Sequence, residues 1–488
     1  MLDDLRILLA SHHPLVLAEA ADERRFLALL RRVAAAEQIP VWVWTAARGL
    51  ARDGHDSQYG TIDPRRALAF VADLTTPGVF VFADAHPVLE DPVALRTIKD
   101  VAQGLQARQT VILTAPHHEP PAELRGLALP WRLTPPATDE VARLVRRTVE
   151  DFAMRGMVAG VTAGDERRLV AALGGLTLGD AERILQRAVL RDGALAPDDL
   201  PWIRAAKAEI LNADGVLELI EHRSLTLEDV GGMEGLKAWL GLRSRALTNP
   251  EAARDAGIEA PRGILLTGIP GCGKSLVAKT LAATWDRPLV LLDPARIYRK
   301  YVGESEQRLQ KALETAEAMQ PIVLWIDEIE KAFATGGDGD GRVSRRLLGS
   351  FLRWLQERGD GVFVVATAND IDRLPPELLR KGRFDEVFFV DLPEERARRA
   401  ILSLHLGSRG RDPQRFDLDK LVTATEGFSG AEIEAALVGA LYRAFATSTP
   451  LSTDDVVQEI QATVPLSQMR PEDVARLRAW ARDRAVPA

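Results

Sequence analysis

Residues Gly268-Ile-Pro-Gly-Cys-Gly-Lys274-Ser275 constrain the fold of this chain more than any other stretch. They fit G-x-x-x-x-G-K-[ST], a pattern whose glycines let successive backbone N–H groups turn inward around a polyphosphate. The apolar run Gly263-Ile-Leu-Leu-Thr267 precedes them and reads as a short buried strand, and Leu276 to Thr284 follows with a helical pattern. A strand opening through such a loop into a helix presents the positive end of the helix dipole to an anion. Lys274 is expected to reach the β- and γ-phosphates and Ser275 a Mg²⁺ ion. Gly268, Ile269, Pro270, Gly271, Cys272, Gly273 and Leu276 complete the cradle. The alternative, an incidental glycine loop, does not account for Lys-Ser at its end and a strand before it.

A second apolar run, Pro321-Ile-Val-Leu-Trp-Ile326, leads straight into Asp327-Glu328. Mg²⁺ keeps several waters and takes few carboxylates, so Asp327 suits its water shell. Glu328 suits a general base that polarises an attacking water. A surface Asp-Glu pair is common, but this one ends a buried strand roughly 50 residues beyond the loop, the order expected of the motif. Gly361 to Ala368 is a further strand, ending in Asn369. Ligands bind at the carboxyl ends of parallel strands, which brings Asn369 to the phosphate loop as a water- or phosphate-orienting amide. Arg380 and Arg383 bracket a glycine and suit stabilisation of transition-state charge on a neighbouring subunit; the alternative is two surface salt-bridge arginines.

These stretches together carry a resemblance. Asp229-Val-Gly-Gly232, the phosphate loop, Lys300-Tyr-Val-Gly-Glu-Ser-Glu306, Ile326-Asp-Glu328, Ala366-Thr-Ala-Asn369, Leu379 to Asp385 and Gly427-Phe-Ser-Gly-Ala431 make residues 225–448 similar to an AAA-clade module of the AAA+ ATPases. The resemblance implies a P-loop NTPase fold, a parallel sheet with helices on both faces plus a helical lid. It implies ATP and Mg²⁺ as cofactors. Asp229, Val230 and Gly231 would contact adenine, largely through backbone, and Gly430 and Ala431 would close over the nucleotide. Arg380 and Arg383 would reach a neighbour's γ-phosphate, which implies a homo-oligomeric ring, a hexamer. Tyr301 and Val302 would grip an extended polypeptide in the ring's pore. Read from the residues alone, Tyr301 fits either a gripping loop or a tyrosine packed on its own loop. Thr335 to Arg342 reads as a second pore loop. Lys381 replaces a frequent proline in the arginine segment. Cys272 stands where a small hydroxyl residue is common, and is either oxidation-sensitive or inert.

Residues 1–135 alternate strand-like runs (Pro14 to Ala18, Val41 to Trp44, Gly78 to Ala83, Thr110 to Thr114) with helical ones (Asp22 to Glu37, Asp91 to Gln106), the pattern of a parallel α/β sheet. No phosphate loop follows the first strand, where the chain reads Ala18-Glu-Ala-Ala-Asp-Glu23, and one acid, Asp84, follows the third. Residues 136–204 read as helical. The succession suggests either a degenerate AAA-like module ahead of the working one or an unrelated α/β domain. In both cases no hydrolysis is expected there. His12, His13, His86, His117 and His118 read as loop residues more readily than as a metal cluster. The whole layout is similar to AAA proteins carried as a hypothetical reading frame by algal plastids and by cyanobacteria. The expected domains are residues 1–204 (α/β to 135, helical from 136), a connector at 205–223, the large ATPase subdomain at 224–391, and the lid and tail at 392–488.

Composition narrows the classes. The single cysteine among 488 residues rules out an internal disulfide framework. The net charge of −8 argues against a basic nucleic-acid surface. No apolar run reaches the ~18 residues of a membrane span, and the acidic start lacks a secretion signal's layout, so a cytoplasmic protein without membrane contact is expected. H-E-x-x-H is absent, which excludes a fused zinc protease of that type. The expected function is Mg²⁺-dependent ATP hydrolysis coupled to remodelling or threading of an unidentified protein substrate. The alternative is a nucleotide-switched scaffold that binds a partner with slow turnover; a nucleic-acid motor is disfavoured by charge.

Overall fold

The strand-like runs of the first 135 residues become a six-stranded sheet: β1 (Leu15–Glu19), β2 (Val41–Thr45), β3 (Gly49–Arg52), β4 (Gly78–Phe82), β5 (Gln109–Ala115) and β6 (Ala128–Arg132). The computed structural model describes residues 1–106, 108–116, 121–156, 158–159, 162–220, 225–248, 250–297, 304–333, 341–380 and 382–488. The strand order is β3-β2-β4-β5-β1-β6. All neighbours are parallel except the β2–β3 hairpin. Every residue of β4 and β5 is buried, as central strands covered on both faces require. Phe26 and Leu30 of the helix Glu23–Ala36 pack on Val16, Val79, Val81 and Ile112. Leu68 and Ile98, on two other helices, pack with Leu15, Phe80, Phe82 and Leu113, so the period-two alternation of the strands feeds two cores.

Met1–Thr148 and Leu176–Arg187 form one compact unit; Val149–Gly175 and Ala188–Ala488 form the other. The second unit contains a short parallel pair, β7 (Val158–Ala159) and β8 (Ala194–Leu195). Its main sheet comprises β9 (Leu217–Ile220), β10 (Gly263–Gly268), β11 (Leu289–Leu292), β12 (Ile322–Ile326), β13 (Val362–Ala368), β14 (Glu386–Val390) and β15 (Val486–Pro487), in the order β15-β14-β10-β13-β12-β11-β9. The helices Glu395–Ser408, Leu418–Ala424, Gly430–Ala446 and Thr453–Ala462 share a separate core built on Leu402, Leu421, Ile433, Leu437 and Ile460, which makes the lid a packed body of its own.

Two expectations about boundaries need correction. The stretch 205–223 is not a plain connector. Residues 205–214 complete the helix Leu200–Asp214, which stops at Gly215 in a left-handed cap, and Leu217–Ile220 is an edge strand antiparallel to β11. Leu217 is buried and Glu218, Leu219 and Ile220 are half-buried, as suits a strand at the sheet edge. The tail also does not stay with the lid. Val474, Leu477 and Ala481, one stripe of the helix Pro471–Ala481, enter the core of the ATPase sheet, and Val486–Pro487 adds a strand beside β14.

The two large sheets repeat one arrangement. β6-β1-β5-β4-β2 runs in the same parallel order as β14-β10-β13-β12-β11. Phe82 pairs with Leu113 as Ile326 pairs with Ala366. In that register Thr114 stands where Thr367 does, Pro116 where Asn369 does, Ala83 where Asp327 does, and Asp84 where Glu328 does. Asp84 and Glu328 share a left-handed backbone, φ 50° in each. Leu17 pairs with Leu113 as Leu265 pairs with Ala366, so Ala20 stands at the place of Gly268. The repeat favours a degenerate module over an unrelated α/β domain. In the first unit the chain passes from β1 almost directly into its helix, and the Asp22 carboxylate accepts the helix N–H of Arg25. A fixed carboxylate thus occupies a helix terminus that would otherwise attract a phosphate.

Candidate functional site

At the carboxyl end of β10 the chain turns through Gly268, with φ 132°. A side chain there would meet the Val390 carbonyl oxygen at 2.1 Å, so only glycine lets the loop start beside β14. Gly271, φ 78°, lies under Ser429 of the lid. The helix Lys274–Thr284 then begins at Gly273.

The loop faces a cavity of about 850 Å³. Asp229, Val230, Gly231, Pro270, Gly271, Cys272, Gly273, Lys274, Ser275, Leu276, Asp327, Glu328, Asn369, Gly430 and Ala431 line it, so most of the residues singled out in the sequence converge there. Gly268 and Ile269 do not line it. Ile269 turns into the core, and both contribute carbonyl oxygens that accept from Lys274 Nζ at 2.9 Å. Burial pushes the Lys274 ammonium down to about 8, partly offset by the Asp327, Glu328 and Glu330 carboxylates around it.

Ser275 Oγ donates to Asp327 Oδ1 at 3.2 Å. Thr367 Oγ1 also donates to Asp327 Oδ1 and accepts from the Glu328 backbone N–H at 3.0 Å, which ties β13 to the acidic end of β12. Asn369 Nδ2 donates to Glu328 Oε1 at 3.1 Å, and Lys331 Nζ pairs with Oε2. The Lys331 contact, more than the mild burial opposing it, holds the Glu328 carboxyl below its usual range. Glu328 is therefore an ionised carboxylate near neutral pH, the state a general base requires.

On the far side of the cavity the Asp229 carboxylate accepts from the backbone N–H and hydroxyl of Thr226. The Asp229 N–H donates to the Thr226 carbonyl at 3.0 Å and the Val230 N–H to the Leu227 carbonyl at 3.3 Å, so the turn that brings Asp229 to Gly231 to the cavity wall is held by its own hydrogen bonds. Ile401, Leu404, His405 and Ser408 line the same side. Arg409 Nη1 meets His405 Nδ1 at 3.2 Å, and a guanidinium only donates, so the neutral ring carries its proton on Nε2. These lid residues and Thr367 were not picked out from the sequence. The i, i+3, i+4, i+7 spacing from Ile401 to Ser408 was the available signal.

Arg380 and Arg383 do not join this cavity. Arg380 is exposed and lines a second cavity of about 920 Å³ with Arg243, Arg262, Leu379 and Phe384. Arg383 Nη1 donates to the Leu352 carbonyl at 2.6 Å. Tyr301, Val302, Lys381, His117, His118 and residues 335–340 lie outside the described residues. Among the described residues no group of three or more His, Cys, Asp or Glu side chains is arranged to hold a metal ion, and no helix is long and apolar enough to cross a membrane.

A glycine-turned loop at a helix N-terminus, its lysine, and an acid pair at the end of β12, two strands away in the same sheet, define a P-loop nucleotide-hydrolysing protein. The comparisons name it more closely. Residues 264–392 match the ATPase family associated with various cellular activities (AAA), and residues 415–457 match the AAA+ lid domain. Residues 1–130 match the SpoVK-like AAA ATPase N-terminal domain and residues 139–214 its second domain. The uncharacterized AAA domain-containing protein ycf46 of Trieres chinensis is 33% identical over 98% of this chain and 96% of its own. A cell division cycle protein 48 homolog of Archaeoglobus fulgidus is 36% identical over 49% of this chain and 33% of its own. A proteasome-activating nucleotidase of Aeropyrum pernix is 33% identical over 50% of this chain and 61% of its own. This chain belongs to the AAA ATPase family, and its activity is ATP hydrolysis.

Proposed function

We propose that this ATPase works as a homo-oligomeric ring, six subunits in number, which couples Mg²⁺-dependent hydrolysis to remodelling or threading of a protein. The observation that carries the reading is the separation of Arg380 from the phosphate cavity of its own chain. A site lined, among the described residues, by a lysine, an acid pair and an amide but no arginine is completed by a second copy that brings Arg380. One partial relative is named a proteasome-activating nucleotidase, which ties a nucleotidase to proteasome activation in that protein and supports the reading here.

Roles follow from the donor sets. The Ser275 hydroxyl and Asp327 carboxylate, 3.2 Å apart beside the loop, fit Mg²⁺, which takes few protein ligands and keeps water. When bound, that ion neutralises charge on the β- and γ-phosphates. Lys274 exchanges its two loop carbonyls for phosphate oxygens. Asn369 steers Glu328, and Glu328 takes the proton of the attacking water. Asp229 to Gly231 with Gly430 and Ala431 close over the nucleoside.

Glu328→Gln is the test: ATP binding is retained, turnover falls by roughly 10²-fold or more, and mass photometry shows a ring stabilised by ATP. A protein that stays monomeric under those conditions overturns the ring reading.

A second reading, a nucleotide-switched scaffold with slow turnover, is favoured by the Lys331 pairing, since both oxygens of Glu328 are engaged. If that pairing restrains hydrolysis, Lys331→Ala raises kcat; an unchanged or lower kcat removes the support.

A further inference from the structure

Glu330 lies in the first turn of the short helix Ile329–Phe333, two residues beyond the base. It does not line the phosphate cavity and is only 4% exposed. Its Oε1 accepts two backbone N–H groups, Asn369 at 3.0 Å and Asp370 at 3.3 Å. Its Oε2 is buried and has no hydrogen-bond partner among the described residues. A buried carboxylate with one unsatisfied oxygen is costly, and an apolar side chain of similar volume would serve packing better. Its retention calls for a gain elsewhere.

That gain lies at Asn369. This residue follows the last strand position of β13, where the ladder no longer holds the backbone. Glu330 holds it instead, and so sets the direction from which Nδ2 reaches Glu328 Oε1. The same carboxylate oxygen holds Asp370, whose side chain caps the turn Ile371–Arg373 on the way to the Arg380 segment. One oxygen therefore ties the end of β12 to the segment carrying Asn369.

We propose that Glu330 is a positioning residue for hydrolysis: it acts through Asn369 to hold Glu328 in register with the attacking water and never touches the nucleotide. The inference rests on reading Glu328 as the base.

The test is a double-mutant cycle on the full chain, with kcat and KM for ATP measured at each corner and folding checked by thermal melting. Glu330→Met removes the acceptor while keeping the volume. It is expected to lower kcat by roughly 10- to 100-fold with KM within about threefold. In the Asn369→Ala background the same change is expected to cost no more than about twofold, because the residue it acts through is already gone. Glu330→Gln keeps a carbonyl oxygen for the two N–H groups and is expected to restore kcat to within about threefold of the parent. Wild-type kcat in Glu330→Met, a rise in KM alone, full cost repeated in the Asn369→Ala background, or failure of Glu330→Gln to restore turnover overturns the proposal. Glu328→Gln is assayed alongside: undiminished turnover there would instead remove the base reading.

Discussion

The backbone N–H of Ala431 donates to the carbonyl oxygen of Gly271 at 2.9 Å. The bond joins the first turn of the lid helix Gly430–Ala446 to the middle of the phosphate loop, so lid and loop meet at the edge of the nucleotide cavity. Proline in a helix's first turn loses no intrahelical bond. Ala431→Pro therefore removes the tie to Gly271 while leaving the helix intact. A net hydrogen bond of about 0.5–1.5 kcal/mol corresponds to a roughly 2- to 12-fold weakening of ATP affinity. Titration with a fluorescent ATP analogue, with helix content followed by circular dichroism, checks it. Unchanged affinity would mean that the lid contact does not favour the bound state.

Arg380 and Arg383 are distinguished by what they touch. Arg380 is exposed in its own cavity, whereas Arg383 is anchored to Leu352. Arg380→Ala is expected to lose at least ~100-fold in kcat without losing thermal stability, as removal of a trans-acting arginine does. Arg383→Ala is expected to lower the melting temperature too, because the partly buried Leu352 carbonyl loses its donor. Mixing inactive Arg380→Ala with inactive Lys274→Ala protein checks the shared site. Activity returns where an intact loop from the first variant meets an intact Arg380 from the second. Continued inactivity in mixtures shown to co-assemble would mean that Arg380 acts within its own chain.

The parts of the site that were legible in the sequence are those built from neighbouring residues. The spacing from Gly268 to Ser275 and the apolar run before Asp327-Glu328 each sit within one strand and its turn, so local pattern suffices. Thr367 and Glu330 are held by partners roughly 40 residues away, and no local period marks them; His405 lies on a periodic face of a separately folded lid helix, and that period does not say which cavity the face lines. β9 and β15 were missed because four- and two-residue strands carry too little alternation to register. The kinship of the two sheets was visible only as a succession of strands and helices. The first unit has Ala20 and Ala83 at the places of Gly268 and Asp327, so residue identity alone does not reveal the repeat that register does.

Cys272 can be placed on one side of the question its position raises. It is buried, and burial, only partly offset by Lys274, pushes the thiol up to about 12. Near pH 8 the thiolate fraction is then about 10⁻⁴, against roughly a quarter for an ordinary cysteine. A disulfide reagent is expected to label the folded protein at least ~100-fold more slowly than a free thiol, and to titrate one equivalent in denaturant. Labelling at the rate of an exposed thiol would restore the oxidation-sensitive reading.

Lys207 provides a prediction about stability in place of turnover. It lies in the helix Leu200–Asp214 at 2% exposure, and burial, with Arg204 adding to it, lowers its pKa from 10.5 to about 7. Below pH 7 the folded chain must hold this ammonium in its interior, and the full penalty is present. Between about 7 and 10.5 the folded form releases a proton that the unfolded chain keeps. The unfolded state then binds more protons, and this group's contribution to stability rises with pH until the penalty is gone. Lys207→Met keeps the side chain's length and removes the charge. It is expected to raise the melting temperature by a few degrees near pH 6, with the gain shrinking steadily toward about pH 9 or 10. Thermal melts of both proteins across that range check the sign: a gain independent of pH, or one that grows as pH rises, would mean that Lys207 is not held as a buried, weakly basic amine.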